Sequence, residues 1–258
     1  MSKIFALAMV VIKELYRRKD FYVLFILTAL ITLLLGSINL FNDDKIVRYL
    51  KEVCLLLIWA SSLVIAIVTT ARQIPAEREN RTIFPLLAKP VSRAQLVLGK
   101  FTGCWLTCGL ALLIFYVFFC VVSGTHEHHW PLLNYFQALW LHWWMLAIVI
   151  ALTLLGSLIF TASSSNSTII FIVVIGILLL ARHLGKVALQ LLDPAQTIVY
   201  AVYMAIPHLE FFDVRDLIVH NGELIAWWAW GIATLYALGY SAFLLLLAWL
   251  VFRRKALN

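Results

Sequence analysis

Residues 96–122 read LVLGKFTGCWLTCGLALLIFYVFFCVV. Past Lys100 the run holds no Asp, Glu, Lys or Arg. A helix crosses a bilayer with about 20 predominantly apolar residues. This stretch is long enough and apolar enough to do so, and it does not stand alone. Residues 21–40, 53–71, 135–161 and 225–252 have the same character, and residues 168–181 begin another. That last run is short, because fourteen residues rise only about 21 Å as a helix. It spans only if residues 163–167 (SSSNS) join the helix; otherwise they read as a plain turn, or as a polar helix end facing protein. The chain therefore reads as an all-α integral membrane protein with six transmembrane helices.

Composition points the same way. Hydrophobic residues make up 64% of the 258 residues and charged residues 13%. Soluble domains hold about 45–50% and about 25%. Mean hydropathy is +0.96. These values exclude a soluble globular enzyme, a disordered chain and a nucleic-acid binder. The net charge of +7 then reports topology, since Lys and Arg collect in cytoplasmic loops. Six spans place residues 1–20, 72–100 and 253–258 on one side, and these carry five, six and three Lys plus Arg. The other side carries six of the twenty in all. Both termini are thus expected in the cytoplasm. Trp130, Trp140, Trp143, Trp144, Trp227, Trp228 and Trp230 fall near the opposite face, where an aromatic belt belongs. The first twenty residues show no small-residue cleavage site before Phe21, so no cleavable signal peptide is expected. Cys54, Cys104, Cys108 and Cys120 all lie in apolar runs and read as small buried hydrophobes.

Three segments do not span. Residues 1–20 hold a basic amphipathic stretch with Ile4, Ala8, Val11 and Leu15 at helical spacing, which fits an interfacial helix under the inner leaflet. Residues 72–95 form the longest polar inner segment. Within it Thr82 caps a short helix with Pro85 in its first turn, and Pro90 ends that helix after Lys89. Ser92-Arg93-Ala94-Gln95 is a capping box that starts the third span. A bare connection needs about two to eight residues; the greater length suggests a docking surface along the membrane. Residues 182–224 form a long outer segment broken at Asp193-Pro194 and Ile206-Pro207. Its apolar pieces are too short to span and fit helices dipping into the outer leaflet or packed over the bundle mouth.

Several stretches resemble the ABC-2 family of ATP-binding-cassette transporter permeases. They are Ile12-Lys13-Glu14-Leu15 with Arg17-Arg18, then Glu77-x-Glu79-x-x-Thr82, then Leu86-Leu87-Ala88-Lys89-Pro90-Val91-Ser92-Arg93, then Gly99-Lys100-Phe101, and finally Ile206 through Phe212 (IPHLEFF). The small single-domain permeases found with copper-enzyme maturation and gliding systems are the most similar in plan. Asn80-Arg81 departs from the pattern, where many relatives place a glycine before the threonine. The resemblance implies one permease domain over residues 1–258 that pairs with a second copy. It implies a bacterial inner-membrane location and two copies of a separate cytoplasmic ATPase that binds ATP and Mg. Residues 72–95 would carry a coupling helix, with Glu77, Arg78, Glu79, Arg81, Thr82, Phe84 and Leu87 meeting the ATPase. Residues 182–224 would supply the outer gate, at Pro207, His208, Leu209, Glu210 and Phe211. Export is the implied direction, membrane lipid surrounds the spans, and an outer partner protein is compatible with the plan. This chain has no G-x-x-x-x-G-K-[ST] loop, so it is expected to bind no cofactor and to hydrolyse no ATP itself.

Two other readings compete. His126-Glu127-His128-His129 invites an integral-membrane metalloenzyme. The cluster sits in one short outer loop, without further histidine boxes at helical spacing, and no metal site is expected. A passive channel or scaffold would place charges inside its spans, which the third span beyond Lys100, the fourth and the sixth lack. Gly99 and Gly103 form a small-xxx-small pair read as a packing contact. His142, beside the Trp cluster, reads as a snorkelling interfacial residue.

Overall fold

The structure is a computed structural model that describes residues 3–17, 22–23, 26–31, 44–79, 92–127, 130–188, 195–220 and 222–254. Among them there is no β-strand. The helices are α1 (Lys3–Tyr16), α2 (Asp44–Ala71), α3 (Pro75–Glu79), α4 (Arg93–Glu127), α5 (Leu132–Ile159), α6 (Ser163–Ala188), α7 (Ala195–Ala205), α8 (Arg215–Val219) and α9 (Trp227–Arg254). A 3₁₀ turn covers Leu209–Phe212. Among the described residues five stretches are long and apolar enough to cross a membrane: Arg48–Glu79, Arg93–Thr125, Leu132–Ile159, Ser163–Leu180 and Trp227–Arg254. The first expected span, residues 21–40, lies largely outside the described residues. Its helical residues 26–31 meet α2, with Thr28 Oγ1 3.1 Å from Ser61 Oγ.

Helix α5 is the axis of the bundle. It contacts α2, α4, α6 and α9. Residues 145–151, MLAIVIA, are each no more than 1% exposed. A helix apolar on every face suits a protein core or a bilayer; here neighbouring helices enclose it. Helix α6 has the opposite environment, with only 22% of its apolar window buried against 67% for α5.

Residues 163–167 are the start of α6 rather than a plain turn. The reason is tertiary. Asn166 is fully buried, and its Nδ2 donates to the Thr153 carbonyl at 3.2 Å. Its side-chain oxygen fills the space a Cβ on Gly156 would need. The helix runs on to Ala188, so the outer segment begins with helical residues.

The glycine pair packs as expected. A Cβ on Gly99 would stand 2.6 Å from Leu7 Cβ, and one on Gly103 would stand 2.7 Å from Val11 Cβ. Helix α1 thereby lies against the start of α4, with Ala8 and Val11 buried. His142 is a correction. It does not snorkel; it is 4% exposed. Its Nε2 lies 2.8 Å from Ser62 Oγ and its Nδ1 3.5 Å from the Tyr116 hydroxyl. Partners on α2 and α4 satisfy the ring inside the bundle, where water is not available. Of the cysteines, all free, Cys54, Cys104 and Cys108 are buried as expected, and Cys120 is partly exposed.

Candidate functional site

Polar side chains gather at the two ends of the bundle. At one end the capping box forms as read: Gln95 N–H donates to Ser92 Oγ at 3.2 Å, and Ser92 N–H to Gln95 Oε1 at 3.0 Å. This closure leaves Arg93 directed at α9. Its Nη1 donates to the carbonyls of Phe252 at 2.5 Å and Arg253 at 3.1 Å. The guanidinium also lies 5.3 Å from the Phe252 ring centre. A cation on the last carbonyls of a helix satisfies groups that have no partner within it and complements its dipole. The contact brings the C-terminus of α9 to the foot of α4, and α1 packs at that same foot. The described parts of the three basic segments, residues 3–17, 72–79 with 92–100, and 253–254, therefore share one end.

At this end α2 turns through residues 72–74 into the short helix α3, with Pro75 at its first position. Pro fits there because its missing N–H has no helical partner to lose. Lys100 on α4 is 3% exposed. Its Nζ donates to Gln73 Oε1 at 3.1 Å and forms an ion pair with the Glu77 carboxylate. A buried ammonium is tolerated only when paired in this way. Of the expected coupling residues, Glu77 thus faces inward to Lys100, Arg78 is half-buried and Glu79 is exposed. Arg81, Thr82, Phe84 and Leu87, with the expected 82–89 helix, lie outside the described residues. Sequence reasoning missed Lys100 and Gln73; the signal was a lone lysine just inside an apolar run.

The opposite end holds the expected outer gate residues. Pro207, His208 and Leu209 are buried, Glu210 is partly buried and Phe211 is exposed. Leu209 and Phe212 anchor the 3₁₀ turn at 1% and 2% exposure. The backbone N–H of His208 donates to the Tyr236 hydroxyl at 2.9 Å, and its ring stacks on Tyr203 at 4.3 Å. The Tyr240 hydroxyl donates to the Ala205 carbonyl at 2.8 Å, tying the end of α7 to α9. Gln137 joins α5 to the same segment, accepting from Ile225 N–H and donating to the Ile225 carbonyl, both at 3.0 Å.

Beside the turn, Asp213 and Arg215 form a bidentate pair at 2.8 and 3.0 Å. The Arg215 guanidinium lies 4.9 Å from the Trp59 ring centre on α2. Hydrogen bonding to Asp213 holds the Arg215 pKa above its ordinary value, against the lowering effect of burial. Trp59, Ile175, Leu178, Leu179, Glu210, Asp213 and Arg215 line a cleft of about 290 Å³. Trp59 and Arg215 were not among the expected site residues.

A comparison with curated proteins gives no match. The pattern of the ABC-2 family of transporter proteins matches residues 53–255, from α2 through α9 and most of the chain. The all-helical bundle with its apolar crossing helices is the structure such a match requires, and the chain belongs to the ABC-2 transporter family.

Proposed function

We propose that this ABC-2 transporter chain is the permease half of an exporter. Two copies form the path, each served by one of two copies of a separate cytoplasmic ATPase, in a bacterial inner membrane with both termini in the cytoplasm. Residues 72–95 are the coupling element and residues 182–224 the outer gate. The observation that carries this reading is how both feet of the 72–95 segment are fixed. Its start is held by Lys100 through Gln73 and Glu77, and its end by the capping box and by Arg93 on α9. A segment pinned at both feet moves with the spans it joins. A push on the segment therefore reaches α2, α4 and α9 together. The fourteen Lys and Arg that the sequence carries in residues 1–20, 72–100 and 253–258 support the assignment of this end to the cytoplasm.

The test is co-expression with candidate cytoplasmic ABC ATPases of the same genome. A complex with two copies of each chain, hydrolysing ATP, supports the reading. Hydrolysis by the purified chain alone, or no association with any ATPase, overturns it.

A further inference from the structure

We propose that the cleft between Trp59, the 209–215 strip and α6 is a binding site for a cationic amphiphile. The ligand class is a protonated amine with a neighbouring hydroxyl or carbonyl and an apolar chain. One wall of the cleft is hydrocarbon, from Ile175, Leu178 and Leu179. Leu179 is 72% exposed, so this wall is open to the bilayer. The other wall is charged. Arg215 is already neutralised by the bidentate Asp213 and capped by the Trp59 face. It therefore offers no free cation to an anionic ligand. The charge left over is that of Glu210.

Two polar atoms of the lining support this assignment. Glu210 Oε2 and Trp59 Nε1 are buried and have no hydrogen-bond partner among the described residues. A buried carboxylate oxygen without a donor is costly, as is an indole N–H without an acceptor. An ammonium supplies the donor and the compensating charge, and an adjacent hydroxyl or carbonyl supplies the acceptor. The apolar chain then lies along the leucines of α6. The volume is near the lower end of ligand pockets, roughly 300 Å³, which suits one slender chain. As a binding site this goes beyond the export reading; only the identification of the amine as cargo rests on it.

The test uses the full chain, without ATPase, in nanodiscs of phosphatidylglycerol, a lipid with no amine. The probe is dodecylamine with a photoreactive diazirine in its chain, beside the matched dodecanol. The amine is expected to label peptides holding Trp59 and residues 175–179, and unlabelled dodecylamine, not dodecanol, should compete. Glu210→Gln should raise the competing concentration about tenfold or more, as loss of a hydrogen bond to a charged group predicts. Leu179→Trp, on the bilayer-exposed wall, should block labelling while Glu210 stays intact. Adding phosphatidylethanolamine separates two sources of the amine: lost labelling assigns the site to a lipid headgroup, and retained labelling to a free amine. Equal labelling by amine and alcohol, or wild-type competition in both variants, overturns the site. If the amine binds but does not change ATP hydrolysis by the assembled complex, the site stands and the cargo reading fails.

Discussion

Trp105 and Trp143 exchange hydrogen bonds across α4 and α5. Each indole N–H donates to the other's backbone carbonyl, at 3.1 and 3.0 Å, with the rings stacked 4.4 Å apart. Two large rings normally bring two polar N–H groups that need partners. Here each supplies the other's need without water, and the pair fixes the two helices in register. A Cβ on Gly109 would strike the Trp143 ring, so the clasp also depends on that glycine. Trp143→Phe should cost about 1–2 kcal/mol, for one lost hydrogen bond and a smaller stacked ring. Gly109→Val should cost more, because the ring must leave. Reversible unfolding in mixed micelles checks both, and equal stability of all three proteins contradicts the clasp.

The Lys100–Glu77 pair has a distinct signature. Lys100→Met alone removes the ammonium from a largely buried carboxylate and should destabilise by about 3–5 kcal/mol. Combining it with Glu77→Gln should recover most of that loss, because no net charge remains at the site. A double-mutant cycle in the same assay measures the coupling. If the two losses simply add, the pair has no energetic role.

Coupling is tested by Glu79→Lys and Phe84→Ala. Glu79 is exposed, while Glu77 is engaged within the bundle. Charge reversal at Glu79 should oppose the basic site expected to receive it. Loss of Phe84 should cost about 2 kcal/mol or more if it is an aromatic anchor. Both variants should insert normally yet lose ATPase in pull-down and cargo-stimulated hydrolysis. Wild-type behaviour of both sinks the coupling assignment.

Topology is read by thiol labelling in a cysteine-free background. Cysteines at Thr125 and Asn221 should react with an impermeant reagent applied to intact cells. Cysteines at Asn80 and Asn258 should react only after lysis. The asymmetry of Lys and Arg motivates the assignment, and external labelling at Asn80 inverts it.

Helix α1 is tested at Gly103. Leucine there meets Val11 and the Ala8 carbonyl, where even a Cβ would stand within about 3 Å of both. The expected result is a released α1, seen as new protease cleavage before Phe21 with the remaining bundle intact. An unchanged digestion pattern removes α1 from its groove.

What the sequence conveyed follows a physical divide. The capping box and the packing glycines were legible because each rests on a few adjacent or helically spaced residues. The apolar runs were legible because bilayer thickness sets their length. Residues 163–167 stayed open between turn and helix end, and His142 was misread, because their states depend on distant partners: Thr153 for Asn166, and Ser62 and Tyr116 for the imidazole. Lys100 was counted as one more inner charge, since nothing near it in sequence announces Gln73 and Glu77 at its head. The Trp59–Arg215 contact joins positions far apart in sequence, so no local pattern marks it.

The solid middle of α5 has a consequence for passage. From Met145 to Ala151 every side chain is enclosed by neighbours, so α5 itself lines no corridor among the described residues. Helices such as α6, which the bundle leaves largely uncovered, lie at its periphery, where the proposed path would run as a seam. A seam has only one bank until another surface faces it. On the reading proposed above the second bank is the partner copy, and a lone copy, however well folded, is half of a conduit.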